Sequence, residues 1–323
     1  MVYRILSIDG GGVRGLVAAI WLTRLEALLQ SSLREHFDLI AGTSTGSIIA
    51  CGLSMGMSAE AIVNFYLTQS REVFPGTPGR LWNRIGRTLT QGLDAPRYDG
   101  KGLERVLRRV FGTIPFGDLP RRTLVTSYDA LNREALVLKN DRPVYNRIPI
   151  WEVCKASASA PVYFPAHLLN LDGQTIPVID GGVVANNPTA CAIAEAVRVN
   201  QGRAIDQQIG IDNFLVASFG TGETIRPITA RQSQDWGALE WAIPLIDVLF
   251  DGSADATDYI AQYLLAAGNY FRFQTPLDTA YDDLDNADAT NLNALVGVAE
   301  TYLRQTGEAR LNELAERLRS TAK

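Results

Sequence analysis

Histidine, cysteine and long apolar runs are scarce in this sequence, and each scarcity removes a class of protein. No apolar stretch approaches the roughly 20 residues that a membrane-spanning helix needs. The three cysteines, Cys51, Cys154 and Cys191, are scattered and lack metal-ligand spacing, so we expect reduced thiols and no metal site. No charged segment or cleavage site precedes the first apolar run, so we expect no secretory signal and a soluble, cytoplasmic protein.

Basic residues are in deficit as well. The chain has 30 Lys and Arg against 35 Asp and Glu, a net charge of −5, which argues against a nucleic-acid polymer as partner. With 46% hydrophobic and 20% charged residues, its 323 residues supply enough apolar material for a sizeable core. No linker separates two cores, so we expect residues 1–323 to form a single domain, mainly helical after residue 222.

Short apolar segments alternate with amphipathic ones along most of the chain. The pattern predicts strands at Tyr3–Ile8, Phe37–Ala41, Thr123–Tyr128, Ala135–Lys139, Ile176–Ile179, Phe214–Phe219 and Tyr270–Phe273. It predicts helices at Leu16–Ser32, Lys101–Val110, Trp151–Ser157, Pro188–Val199, Asp235–Phe250, Ala254–Ala267 and Asn291–Arg319. Twice, a strand leads through a glycine loop into a helix, which indicates an α/β fold with a parallel sheet.

The second glycine loop places a serine between two glycines. Gly42-Thr43-Ser44-Thr45-Gly46 follows a strand and opens a helix, the context that a nucleophile elbow requires. The glycines permit a sharp turn that exposes the serine hydroxyl, and the helix start directs free N–H groups at the same place. The alternative is an ordinary helix cap, for which Ser44 and Thr45 are both suitable.

A nucleophilic serine needs a base, and the sequence restricts the choice. His36 and His167 are the only histidines, and neither lies late in the chain, where α/β hydrolases usually carry one. We expect both to be structural. A carboxylate acting directly on the serine remains, and three aspartates end predicted strands, where α/β sheets place their sites: Asp9, Asp129 and Asp180. The residue types alone do not choose among them.

The first glycine loop, Gly10 to Gly15, has two interpretations. Its backbone N–H groups suit a developing oxyanion. It also matches the glycine pattern of dinucleotide-binding loops. That interpretation is weaker, because Asp9 would place a negative charge beside a pyrophosphate and the second strand ends without an acidic residue for a ribose.

Taken together and in this order, these segments resemble the patatin-like phospholipase family. The similar motifs are Asp9-Gly10-Gly11-Gly12-Val13-Arg14-Gly15, Gly42-Thr43-Ser44-Thr45-Gly46 and Asp180-Gly181-Gly182. Lesser matches lie at Ala156–Pro161, Ala185–Pro188 and Gly220–Gly222, so the resemblance spans residues 3–222. It implies a three-layer α/β/α fold with a mostly parallel central sheet.

The resemblance also implies a function. It implies a lipid acyl hydrolase of phospholipase A type with a Ser44–Asp180 dyad, an acyl-Ser44 intermediate, and an oxyanion hole at Gly11, Gly12 and Val13. Arg14 braces the loop or meets a lipid phosphate. No cofactor or metal is implied, and the enzyme would contact membranes peripherally. The alternatives are an acyltransferase with the same dyad and a non-catalytic lipid-binding or storage protein.

Three further segments suggest contacts beyond the chemistry. Between Arg80 and Leu89, Trp82 and other apolar residues oppose Arg80, Arg84 and Arg87, which is typical either of an interfacial lid or of a helix packed on the core. By family analogy, a cyclic nucleotide activator would meet these arginines or Arg97. A stripe lines an acyl channel or, more simply, packs in the core: Trp236, Leu239, Ile243, Ile246 and Phe250. Leu311, Leu314 and Leu318 form core packing or the seam of a homo-oligomer.

Overall fold

The central feature of the fold is a mixed β-sheet. The computed structural model describes residues 1–76, 96–242, 244–278, 280 and 283–321, without the side chain of Leu239. Within these residues the sheet has eight strands. They are β1 (Tyr3–Ile8), β2 (Leu39–Thr43), β3 (Arg122–Asp129), β4 (Glu134–Lys139), β5 (His167–Leu171), β6 (Gln174–Asp180), β7 (Phe214–Phe219) and β8 (Tyr270–Phe273).

Five neighbouring strands run parallel, in the order β3-β2-β1-β7-β8. β1 and β7 are buried at every position, as strands covered by helices on both sides must be. β4 and β6 both pair with β3 in the antiparallel direction, and β5 pairs with β6. The expectation of a mostly parallel sheet is therefore confirmed, with an antiparallel part at one side.

β2 and β6 meet end to end along one edge of β3. β2 pairs with Arg122–Thr126 and β6 with Ser127–Asp129. β4 pairs with β3 across both stretches, so it occupies the other edge and leaves this one to be shared. As a result, the carboxyl end of β2 faces the carboxyl end of β6.

Helices cover both faces of the sheet, which gives the three layers that the resemblance implies. In chain order they are α1 (Gly15–Leu29), α2 (Thr45–Met55), α3 (Ala59–Val73), α4 (Lys101–Phe111), α5 (Pro143–Asn146), α6 (Ile150–Ser157), α7 (Gly182–Ala185), α8 (Thr189–Gln201), α9 (Ala230–Asp235), α10 (Ala238–Trp241), α11 (Pro244–Leu264), α12 (Ala289–Tyr302) and α13 (Glu308–Ser320). α1, α2, α4, α6, α12 and α13 pack on one face, and α8 and the end of α11 pack on the other.

Three of the predicted helices differ from the structure. α9, α10 and α11 replace the two helices predicted over residues 235–267, and Pro244, inside the first of those predicted helices, begins α11. Proline is favoured in the first turn of a helix, where its missing N–H has no helical partner. The long C-terminal helix is confirmed in outline, but a π-helical turn at Leu303–Gly307 divides it into α12 and α13. α3, α5, α7 and β5 were not predicted.

The segments that were predicted to make further contacts differ in their burial. The basic segment Arg80–Leu89 lies outside the described residues, as do Ile243 and the side chain of Leu239. In the same stripe, Phe250 and Ile246 are buried, whereas Trp236 is half-buried and contacts Trp241 edge to face. Three leucines of α13 are fully buried in the core: Leu311, Leu314 and Leu318. They therefore form core packing, and the alternative prediction of a homo-oligomer seam at these residues is wrong. In the described part of the chain, no helix is long and apolar enough to span a bilayer.

Candidate active site

Ser44 lies at a strained turn between β2 and α2. Its backbone has φ 53° and ψ −121°, a conformation that L-residues rarely adopt and that costs about 1–3 kcal/mol. The turn leaves no room for side chains at the flanking positions. A Cβ on Gly46 would lie 2.2 Å from the carbonyl oxygen of Ile8, and one on Gly42 would lie 2.1 Å from that of Gly46. The glycines on either side are therefore sterically required.

The hydroxyl of Ser44 forms a hydrogen bond to a buried carboxylate. Its Oγ donates to Oδ2 of Asp180 at 2.6 Å, and the N–H of Gly182 donates to the other carboxylate oxygen at 2.7 Å. Asp180 has no exposed surface, and this burial raises its pKa from 3.8 to about 7, against the two hydrogen bonds that lower it. At neutral pH the carboxyl group thus lies near its titration midpoint, which suits proton transfer.

The meeting of β2 and β6 explains how two residues 136 positions apart come into contact. Thr43 is level with Thr126 on β3, and Asp180 is level with the next residue, Ser127. Ser44 directly follows Thr43, so it faces the end of β6. From the sequence, Asp180 was expected at the carboxyl edge of a parallel sheet. This was wrong for β6, which runs antiparallel to β3, although Asp180 does contact Ser44.

The other two candidate aspartates have structural partners. Asp9 forms a two-pronged ion pair with Arg272, with N–O distances of 2.6 and 3.0 Å. Asp129 extends past the level of Ser44 and accepts the backbone N–H groups of Leu131 and Asn132 in the turn to β4. Of the three, the structure brings Asp180 to Ser44.

Neither histidine reaches the site. His36 contacts the hydroxyl of Ser31 at 2.6 Å, and His167 contacts Glu152 at 3.2 Å. These partners agree with the structural roles expected for both residues. In the part of the chain that the structure describes, no three His, Cys, Asp or Glu side chains are grouped to hold a metal ion.

Ser157, at the end of α6, holds the turn in place. Its Oγ accepts the N–H of Ser44 at 2.8 Å and donates to the carbonyl of Thr126 at 2.6 Å. It therefore links the nucleophile turn to β3 directly. The sequence placed this residue in a lesser motif without giving it a role, because nothing in one sequence shows which serine will lie under the turn.

The glycine loop after β1 lies beside Ser44. A Cβ on Gly10 would be 3.2 Å from that of Ser44, and Gly12 and Val13 line the same pocket as the serine. Gly12 has φ 56°, and a Cβ there would lie 2.0 Å from the carbonyl oxygen of Leu284, so only glycine fits. The loop is thus held close on both sides.

The backbone N–H groups of this loop are not equivalent. Gly10 donates to the carbonyl of Asn186 at 3.0 Å, and Val13 donates to that of Leu284 at 2.9 Å. Among the described residues, none accepts a hydrogen bond from the N–H of Gly11 or Gly12. The prediction that Val13 contributes to an oxyanion hole does not fit this arrangement, because its N–H already has a partner.

Arg14 and the remaining motif glycines pack against residues around the site. Arg14 is buried and donates to Thr224 at 3.2 Å, within a polar pocket that also contains Asp9 and Asp251. This contact favours the bracing role over a phosphate contact. Gly15, Gly181 and Gly182 each lie where a Cβ would overlap a neighbour: Thr45 and Tyr66, Thr126, and the Phe250 ring, respectively.

A narrow apolar pocket opens beside Ser44. Its empty space, the open mouth included, is about 640 Å³, but only about 60 Å³ of this admits the centre of a water molecule. Most of its lining is apolar: Val13, Ile48, Phe65, Val73, Phe74, Leu103, Ala158, Ala160, Phe164, Phe250 and Leu284. A crevice of this shape and polarity suits an extended hydrocarbon chain. A serine hydroxyl hydrogen-bonded to a buried carboxylate beside an apolar crevice is the arrangement that a serine hydrolase uses.

Comparison with known proteins identifies the family. The patatin-like phospholipase family model matches residues 6–193. "Patatin-like protein 1" from Oryza sativa subsp. indica is 32% identical, over 93% of this chain and 81% of that protein. "Patatin-like protein 3" from Arabidopsis thaliana is 31% identical, over 93% and 80% respectively. The chain therefore belongs to the patatin-like phospholipase family, and it is an enzyme of the esterase and phospholipase class with a lipid substrate.

One solved structure shows a more distant likeness. Human GIVD cytosolic phospholipase A2, in complex with methyl gamma-linolenyl fluorophosphonate, is 12% identical with a TM-score of 0.44. The match covers 98% of this chain and 60% of that one.

Proposed function

We propose that this protein hydrolyses the fatty-acyl esters of membrane phospholipids through an acyl-Ser44 intermediate, with Asp180 as the base. The observation that carries the proposal is the 2.6 Å hydrogen bond from the Ser44 hydroxyl to a carboxylate without solvent contact. Residues 1–323 would act as one domain, in the cytoplasm and peripherally at a membrane.

The first half-reaction forms the acyl-enzyme. Ser44 Oγ attacks the ester carbonyl carbon while its proton passes to Oδ2 of Asp180. The N–H groups of Gly11 and Gly12 stabilise the oxyanion of the tetrahedral intermediate. The intermediate then collapses: the bond to the glycerol oxygen breaks, and Asp180 returns the proton to that oxygen, so that lysophospholipid leaves.

The second half-reaction restores the enzyme. Water attacks the acyl carbon of acyl-Ser44 and gives a proton to Asp180, which passes it to Ser44 Oγ as the bond breaks. The acyl chain would occupy the apolar pocket throughout, with the Phe250 and Phe164 rings against it. Burial of its methylene groups supplies about 0.8 kcal/mol each.

The test is product analysis with purified protein and phosphatidylcholine. We expect free fatty acid and lysophospholipid in equal amounts. Ser44→Ala should abolish turnover, and Asp180→Asn should lower it by about 10²–10⁴-fold, the usual range for a lost general base. Ser233→Ala and Asp206→Asn, at exposed positions, are the matched controls and should retain full activity.

Other outcomes identify the alternatives. Transfer of the acyl group to an added lysolipid, in preference to water, would mark an acyltransferase. Absence of any product with every lipid and activator would indicate a binding or storage protein. Activity that requires a cyclic nucleotide would support that regulation, and full activity without one excludes it. Arg97, the described arginine named for that role, is paired with Asp285 at 2.8 Å.

A further inference from the structure

One side of α11 exposes large apolar side chains near both ends of the helix. Seven of them are between 39% and 76% exposed: Leu245, Val248, Leu249, Tyr259, Ile260, Tyr263 and Leu264. They form two groups on the same side of the helix, one near its start and one near its end, and the small exposed residues Gly252 and Ala256 lie on this side between them. We call these seven residues the outer face of α11. Exposed apolar side chains that cluster in this way mark a site of interaction.

The opposite side of the same helix forms part of the catalytic site. Phe250 lines the apolar pocket, and a Cβ on Gly182 would lie only 2.6 Å from its ring. Ser253 donates to the carbonyl of Gly182 at 3.3 Å. Gly182 in turn donates its N–H to Asp180. α11 therefore lies between the protein surface and the base, so one helix carries both the outer face and part of the pocket wall.

The charge on α11 indicates what the outer face contacts. The helix has no lysine or arginine, and it carries a row of aspartates at a spacing of three or four residues: Asp247, Asp251, Asp255 and Asp258. Such a row repels an anionic membrane, whereas the ammonium groups of zwitterionic headgroups complement it. If α11 of a second copy packed against this helix, the two rows of aspartates would repel each other, because α11 has no lysine or arginine to neutralise them.

We propose that the outer face of α11 docks this enzyme on the surface of a zwitterionic phospholipid bilayer. The inference rests on the proposed lipid acyl hydrolysis, since it states where the substrate's membrane meets the protein. The aliphatic side chains enter the boundary between headgroups and acyl chains, and the Tyr259 and Tyr263 rings lie at the headgroup level. Docking there would bring the bilayer against the helix whose Phe250 lines the pocket beside Ser44.

The test compares two triple variants in sedimentation with vesicles of phosphatidylcholine alone. Leu249→Gln/Ile260→Gln/Tyr263→Gln removes apolar surface from the outer face, and glutamine preserves helix propensity. The matched control is Leu131→Gln/Leu168→Gln/Ile205→Gln, at positions that are 51–89% exposed on other elements. We expect the outer-face variant to lose about tenfold or more in vesicle partitioning, and the control to stay within about twofold of the wild type.

A second readout separates docking from chemistry. Both variants should hydrolyse a dissolved short-chain ester at the wild-type rate, because neither changes a residue of the dyad, the glycine loop or the pocket. Failure of the wild type to hydrolyse that ester would contradict the proposed function, whatever the vesicle result. Wild-type protein that does not bind phosphatidylcholine, or an outer-face variant that binds it unchanged, would overturn the docking proposal. So would an outer-face variant that only converts a dimer to a monomer, since the face would then join two subunits.

Discussion

Asp180 differs from an ordinary aspartate because its side chain is fully buried. Among the described residues, the Ser44 hydroxyl and the Gly182 N–H stabilise its charged form, and burial outweighs both. The raised pKa makes the carboxylate a stronger base than a surface aspartate would be. In the proposed mechanism, this stronger base takes the place of the histidine of a conventional triad.

The first prediction concerns the pH dependence of hydrolysis. Asp180 accepts a proton only when ionised, and its pKa is about 7. We expect kcat/KM for a dissolved ester to reach a plateau above that pH and to fall about tenfold per pH unit below it. Rates measured across the range report this directly. A profile that is flat down to about pH 5, near the range of ordinary carboxylates, would contradict the assignment of Asp180 as base.

The contribution of Asp180 to stability has the opposite trend. Its pKa is higher in the folded protein than in the unfolded chain, so the folded state binds more protons between pH 3.8 and about 7. This contribution is complete below the lower value and is lost as the pH rises through the upper one. Loss of activity on acidification therefore does not reflect unfolding through this group, and denaturation in the same buffers serves as the control.

At the scale of single residues, the sequence predicted the proposed Ser44–Asp180 dyad but not the contacts that support it. Ser44 was found because glycines, strand and helix surround it in a recognisable order. Asp180 was one of three candidates until the family resemblance selected it. The N–H of Val13 donates to the carbonyl of Leu284, and Ser157 accepts the N–H of Ser44. Both hydrogen bonds join distant segments of the chain, so no local sequence pattern predicts them.

Among the elements, α3 shows what local pattern alone can miss. Ser58 caps the helix by accepting the N–H of Ala61, and Ile62, Tyr66 and Val73 form its buried stripe. A serine cap followed by this spacing was a sufficient signal. α3 bears directly on the site, because Phe65, Tyr66 and Val73 line one side of the apolar pocket.

The second prediction concerns the link between β8 and the glycine loop. Arg272 on β8 forms a buried ion pair with Asp9, which directly precedes that loop, and Asp9 raises the pKa of Arg272. Arg272→Met leaves the carboxylate buried without its partner. We expect the free energy of unfolding, measured by urea denaturation, to fall by about 3–5 kcal/mol.

A double variant controls for this loss. Asp9→Asn/Arg272→Met removes both charges, so it should be more stable than Arg272→Met alone. If the single variant loses less than about 1 kcal/mol, or the double variant is the less stable of the two, the ion pair does not hold the loop.

Across the whole molecule, three distant motifs converge because of the sheet order. β1 and β2 are neighbours, which brings the glycine loop beside the nucleophile turn, and β6 shares an edge of β3 with β2. The alternation of strands and helices predicted the class of fold and the parallel centre. It did not predict that β6 runs antiparallel, because strand direction depends on pairing over long range.

The most direct test of the Ser44–Asp180 pair is intact mass measurement after exposure to a fluorophosphonate, with peptide mapping of the adduct. We predict one adduct on Ser44 of the wild type, no adduct on Ser44→Ala, and markedly slower labelling of Asp180→Asn. An adduct at another residue, equal labelling of Ser44→Ala, or Asp180→Asn that reacts as fast as the wild type would contradict activation of Ser44 by Asp180.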